Sequence, residues 1–165
     1  MIVSNYNIHP SRQARRAPMI PRAELEELAH LETICFPPEE LYDLDTLERF
    51  TSRNGAGLLR WIDTRDDGQP HLAAFHLFNC FGAELITLDV HPDHRRRGIG
   101  TALVTESLGK LRELGHRHAT CQIATSNEAS LQLHYRLGFK AFRTLRNYYG
   151  AGRHAHLLVA TLQDP

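Results

Sequence analysis

Between Leu88 and Leu103 the chain reads Leu88-Asp89-Val90-His91-Pro92-Asp93-His94-Arg95-Arg96-Arg97-Gly98-Ile99-Gly100-Thr101-Ala102-Leu103, and this stretch restricts the fold more than any other. Strand-like alternation ends at Val90, a tight loop follows, and helical periodicity begins near Gly98. The first turn of a helix carries backbone N–H groups with no internal partner, and the helix dipole adds partial positive charge. Such a terminus is an anion site. Gly98 and Gly100 have no Cβ, so a phosphate can approach the backbone closely. Arg95, Arg96 and Arg97 add charged donors suited to phosphate oxygens. Position 103 is leucine, so the strict dinucleotide fingerprint is absent. No glycine-rich loop ends in Gly-Lys-Ser/Thr, which excludes a P-loop. Taken alone, a GxG pair is a weak signal and an arginine triplet is more often a solvated loop.

The flanking pattern supplies context. Pro21, followed by Ala23, Glu24, Leu25, Leu28, Leu31 and Ile34, predicts a helix with proline in its first turn, ended by Pro37-Pro38. A second short helix is expected over residues 44–50. Strands are expected over 58–63, 71–78 and 83–90, with Asp67-Gly68 as a hairpin turn, which makes an antiparallel meander. Ile99, Ala102, Leu103, Leu108, Leu111 and Leu114 form one helical face, capped by Gly115. A strand over 118–124 and a helix over 127–137 follow, with Asn127 as N-cap and Gly138 as stop. Two strands, about 139–149 and 154–162, close the chain. That order predicts an α/β sheet with both parallel and antiparallel pairs, in one domain spanning 1–165.

Composition narrows the function. The chain has 165 residues with 42% hydrophobic and 23% charged, the profile of a folded globular chain. Lysine plus arginine and aspartate plus glutamate each number 19, so there is no global charge that calls for nucleic acid. No apolar run has the length of a membrane span. Cys35, Cys80 and Cys121 are far apart and form no CxxC pair, which reads as core thiols in a reducing cytoplasm. The N-terminal 22 residues hold Arg12, Arg15, Arg16 and Arg22 and no acid, but Pro10, Pro18 and Pro21 argue against an amphipathic targeting helix. They are expected to form an early strand and a basic connector. The local histidine pairs, such as His91 with His94, lack a third ligand at a recognised spacing, so no metal is expected. No G-x-S-x-G elbow is present.

Arg95-x-x-Gly98-x-Gly100, placed after a strand and opening an apolar helix, resembles the acetyl-CoA signature of the GNAT superfamily. Downstream, Ser126-Asn127-Glu128-Ala129-Ser130 and then His134-Tyr135-Arg136-Leu137-Gly138-Phe139 resemble that family's second pattern. The resemblance covers roughly residues 20–162. It implies a mixed, largely antiparallel central sheet flanked by helices and splayed at an acetyl-CoA site. It implies acetyl transfer from acetyl-CoA to a primary amine by direct attack on the thioester. Carried over residue by residue, Leu88, Asp89 and Val90 border the pantetheine arm. Arg95, Arg96, Arg97, Gly98, Ile99, Gly100 and Thr101 hold the pyrophosphate, and Asn127 sits beside the arm or serves as an ordinary helix cap. Cys35-Phe36-Pro37 and Arg146-Asn147-Tyr148-Tyr149 are similar to bacterial ribosomal-protein-alanine N-acetyltransferases. That implies a peptide N-terminus as acceptor, with Tyr148 and Tyr149 on the penultimate strand shaping its surface.

Two positions depart from that pattern. The tyrosine that protonates the CoA thiolate in this group falls on His134, with Tyr135 next to it, and either residue is a candidate acid. The glutamate that serves as base in the relatives is Gln122 here, which leaves Glu84, at the head of the strand before the loop, as the candidate base. Asp89 is a weaker candidate for the base, expected on the opposite face from Glu84, Leu88 and Val90 by strand alternation. A small-molecule amine as acceptor, or a non-catalytic acetyl-CoA-binding module, remain alternatives.

Overall fold

The computed structural model describes residues 1–6, 20–64 and 68–162. The basic connector with Arg12, Arg15 and Arg16, and the Asp67 half of the predicted turn, lie outside the described residues. The strands are β1 (Ile2–Tyr6), β2 (Ala56–Thr64), β3 (Pro70–Asn79), β4 (Glu84–Val90), β5 (His118–Ala124), β6 (Lys140–Leu145) and β7 (Ala155–Thr161). The helices are α1 (Arg22–Cys35), α2 (Leu44–Thr51), α3 (Ile99–Glu113) and α4 (Glu128–Arg136). The seven strands form one sheet in the order β1-β2-β3-β4-β5-β7-β6. Every neighbouring pair is antiparallel except β4 with β5, which is parallel. The mixed sheet inferred from the sequence is therefore present, with the meander extended at its edge by β1.

Local chemistry accounts for the element ends. Pro21 caps α1 and needs no N–H of its own there. The helix stops at Cys35, with Phe36 extended ahead of Pro37, because a residue before proline avoids the helical region. Asp43 accepts the Thr46 amide at 2.9 Å and starts α2. Gly115 and Gly138, at φ of +83° and +88°, end α3 and α4. The strand expected over 139–149 ends instead at Leu145. Asn147 adopts a φ of +55°, accepts the Gly152 amide at 2.9 Å and gives its own amide to His154 Nδ1 at 3.0 Å. These bonds close the chain into a loop over residues 146–154, so Tyr148 and Tyr149 sit on a loop and not on a strand.

Two apolar cores sandwich the sheet. On one face α3 places Ile99, Leu103, Val104, Leu108 and Leu111 against Phe78, Leu85, Cys121 and Leu158, and α4 adds Leu131. On the other, α1 and α2 place Leu25, Leu28, Leu31 and Leu47 against Leu58, Phe75 and Leu77. Among the described residues no helix is long and apolar enough to cross a membrane.

Candidate active site

The parallel pair at the centre of the sheet is short. β4 and β5 share the register Glu84↔Thr120 and Leu85↔Cys121, and then they part. The gap is a cleft of about 450 Å³, lined by Leu85, Ile86, Thr87, Leu88 and Val90 from β4 and by Cys121, Gln122, Ile123 and Ala124 from β5. His91 gives its amide to Ala73 on β3. By alternation, Leu88 and Val90 present main-chain groups to the cleft. That edge suits an extended amide-bearing chain. The Val90 carbonyl is already taken, by Arg95 Nε at 2.9 Å and Cys35 Sγ at 3.5 Å. Burial pushes the Cys35 thiol up to about 11, so it stays neutral beside the cleft.

The loop at the cleft mouth is built by its own side chains. His91 Nδ1 accepts the Asp93 amide at 3.3 Å, and residues Pro92–His94 make one tight helical turn. Arg96 and Gly98 have φ values of +63° and +80°, which turns the chain into α3. The first backbone bond of α3 runs from the Ala102 amide to the Gly98 carbonyl, so the amides before it are left for a ligand. Arg95, Arg96, Gly98, Ile99, Gly100 and Thr101 all line the cleft. Arg97 does not: its guanidinium holds Asp63 at 3.1 Å and His94 Nδ1 at 2.8 Å. A Cβ on Gly100 would lie 3.0 Å from Leu133 and 3.5 Å from Leu88, so this glycine also admits α4 against β4.

Asn127 lines the cleft while its side-chain oxygen caps α4 through the Ser130 amide at 3.1 Å, so the capping role and the site position coexist. His134 lines the cleft and is 3% exposed. Its Nδ1 lies 2.8 Å from the Ser130 carbonyl. A carbonyl only accepts, so Nδ1 carries the proton and Nε2 keeps its lone pair. Burial holds the imidazole below its ordinary range, in the neutral form. Tyr135, one residue on, is 38% exposed and does not line the cleft; a helix step of about 100° turns it outward.

Glu84 is not a lining residue either. It sits where β4 and β5 are still paired, and its charge acts on Tyr42 and Tyr148. The expected separation of Asp89 from Glu84 is corrected by a bulge. The β3–β4 register slips between Leu77 and Phe78, which leaves Ile86 without a partner. Glu84, Thr87 and Asp89 then oppose Asn79, Leu77 and Phe75, on the α1 face. Leu88 and Val90 remain on the α3 face. Asp89 is fully buried behind the cleft wall, not in it.

Two loops complete the cleft. Phe36, Glu40 and Tyr42 come from the segment after α1, and Tyr149 from the loop after β6. Tyr149 donates its hydroxyl to the Gln122 carbonyl at 3.4 Å. Tyr148 packs edge-on against Tyr149 but stands outside the lining, 47% exposed. Arg153 reaches Glu39 at 3.2 Å and joins the two loops. The sequence points to residues 20–55 and 143–153 for the acceptor side and marks Phe36 through Cys35-Phe36-Pro37, but nothing periodic singles out Glu40 and Tyr42; the double proline after α1 is the available hint. Among the described residues, no group of three or more His, Cys, Asp or Glu side chains is placed to hold a metal.

Fold and cleft together define a mixed sheet whose two central parallel strands part beside the N-terminus of α3, with unpaired amides and two arginines at the cleft mouth. Residues 25–139 match the family described as Acetyltransferase (GNAT) family. The chain is 32% identical over 140 residues to the ribosomal protein bS18-alanine N-acetyltransferase of Escherichia coli, which covers 82% of this chain and 85% of that one. It is 29% identical over 133 residues to the L-amino acid N-acyltransferase MnaT of the same species, covering 78% and 77%. A third relative, an N-alpha-acetyltransferase of Sulfurisphaera tokodaii, is 34% identical over 79 residues, and the match spans about half of each chain, 47%. Among solved structures, Arabidopsis thaliana NAA60 in complex with a bisubstrate analogue superposes with a TM-score of 0.73 at 17% identity, over 99% of this chain and 100% of that one. The chain belongs to the GNAT family of acetyltransferases, enzymes that move an acetyl group from acetyl-CoA.

Proposed function

We propose that this protein acetylates a primary amine at a peptide or protein N-terminus, with His134 carrying the proton traffic. The parting of β4 from β5 beside the unpaired amides of α3 is the observation that carries the acetyl-CoA assignment. Arg95 and Arg96 neutralise the pyrophosphate with the amides of residues 98–101, and the Leu88 and Val90 main chain holds the arm.

The acceptor arrives as an ammonium. His134 Nε2 takes one proton, and the freed amine attacks the thioester carbonyl. The C–S bond breaks, and the imidazolium returns its proton to the thiolate. The second amine proton leaves to solvent. We assign the base to His134 in preference to Glu84, because His134 lines the cleft with only Nδ1 engaged by the Ser130 carbonyl and Glu84 is not among the lining residues. Glu84 and Glu40 supply negative potential that favours a cationic acceptor. A peptide acceptor is supported by the similarity to the bS18-alanine enzyme and by the aromatic wall of Phe36, Tyr42 and Tyr149. A free amino acid is the second reading, favoured by the similarity to MnaT.

Calorimetric titration with acetyl-CoA, followed by thiol release on alanine-first peptides and free amino acids, tests both. Binding with turnover on peptides supports the first reading, and turnover on amino acids alone supports the second. Binding with turnover on neither would leave a cofactor-binding role, and absence of binding would remove the cleft assignment itself.

A further inference from the structure

Behind the cleft wall, Glu32 of α1 and Asp89 of β4 are both fully buried. Glu32 Oε2 accepts the Tyr42 amide at 3.1 Å. Asp89 Oδ2 accepts the Thr87 hydroxyl at 2.9 Å. The other oxygens, Glu32 Oε1 and Asp89 Oδ1, have no donor among the described residues. The two carboxyls act directly on each other in this buried cluster. Ionised carboxylates only accept, so the two orphan oxygens can satisfy each other only with a proton between them.

We propose that Glu32 and Asp89 are positioning residues for the acetyl acceptor: one proton shared between them clamps α1 to β4 and so fixes residues 36–42, which form the acceptor wall. The proposal rests on reading the cleft as an acetyltransferase site. Each partner reaches the lining through one covalent neighbourhood. Tyr42, Cys35 and Thr87 all line the cleft, and Tyr42 and Thr87 donate to the pair. Without the proton, two like charges would face each other in the α1 core, next to Leu28, Leu31 and Phe75.

Among the described residues, none of the groups acting on the pair is a fixed cation in place of that proton. Cys35 faces the pair from α1, the Tyr42 ring from the following loop, and Thr87 from β4, with Glu84 and Tyr148 acting on Tyr42 from further along. Arg95 is directed at the Val90 carbonyl and Cys35. Burial raises Glu32 to about 7, and burial first and then the neighbouring Glu32 charge raise Asp89 well above the usual carboxylate range. The pair therefore still holds a proton at neutral pH and releases it on the alkaline side.

The test compares Glu32→Gln with Glu32→Ala. Glutamine keeps both hydrogen bonds, oxygen to the Tyr42 amide and NH₂ to Asp89, but cannot titrate. Glu32→Ala should speed Tyr42 amide exchange about tenfold and raise the KM of an alanine-first peptide by a similar factor, with kcat and acetyl-CoA affinity nearly unchanged. Glu32→Gln should match the wild type at neutral pH and keep Tyr42 protected at alkaline pH, where the wild type loosens. Wild-type exchange in Glu32→Ala, or Glu32→Gln behaving like Glu32→Ala, would overturn the proposal. Failure of the wild type to bind acetyl-CoA would remove the enzymatic reading of the cleft, while Tyr42 exchange would still decide whether the proton clamp exists.

Discussion

His134 donates its Nδ1 proton to the Ser130 carbonyl, so its other nitrogen, Nε2, keeps a basic lone pair. Replacing His134 with Ala should lower kcat by about 10²- to 10³-fold and leave acetyl-CoA affinity within about twofold, measured by thiol release and calorimetry. The wild-type rate should fall with acidification, because protonation removes the lone pair. The onset lies below the ordinary histidine range, since burial depresses this imidazole. Glu84→Gln should cost less than about tenfold in kcat/KM with no change in the acidic limb; a loss as deep as that of His134→Ala would return the base to Glu84. Sequence identified His134 as an occupant of the tyrosine position. Its tautomer was not readable, because it depends on a main-chain carbonyl one helical turn away.

α3 owes its ligand-facing end to a glycine at a φ of +80° and to amides that precede its first backbone bond. Gly98→Glu should weaken acetyl-CoA binding by at least about 100-fold, from left-handed strain and from charge set against the pyrophosphate. Gly98→Ala isolates the strain alone and should cost much less; equal losses in the two variants would show that charge plays no part. At this scale the helices and most strands were legible, since proline, Asx caps and glycines act locally. The loop of Tyr148 and Tyr149 was not. Tyr148 and Tyr149 are strand-favouring residues that follow β6 directly, and the positive φ of Asn147 is held by bonds to Gly152 and His154 further along.

Across the whole molecule the two cores are joined through β4, with Leu85, Leu88 and Val90 on one face and Thr87 and Asp89 on the other. The proton shared by Glu32 and Asp89 stabilises that junction. Acids raised in the folded state contribute stability that is full below the ordinary carboxylate range and is lost as pH rises through about 7 and beyond. The melting temperature should therefore decline as pH rises from the ordinary carboxylate range to about 7 in the wild type, and decline less in Glu32→Gln. Parallel slopes in the two proteins would mean that the pair does not titrate in the fold.

The sequence alone determined the strand–loop–helix unit of β4 and α3, the order of elements and the family resemblance, because each rests on residues close together in the chain. The tertiary structure decided what depends on distant segments. The bulge at Ile86 brings Glu84 and Asp89 to one face, the ion pair with Asp63 draws Arg97 out of the cleft, and the loop after α1 supplies Glu40 and Tyr42 to it. Those outcomes follow from register and from side-chain partners more than thirty residues away, which no local pattern encodes.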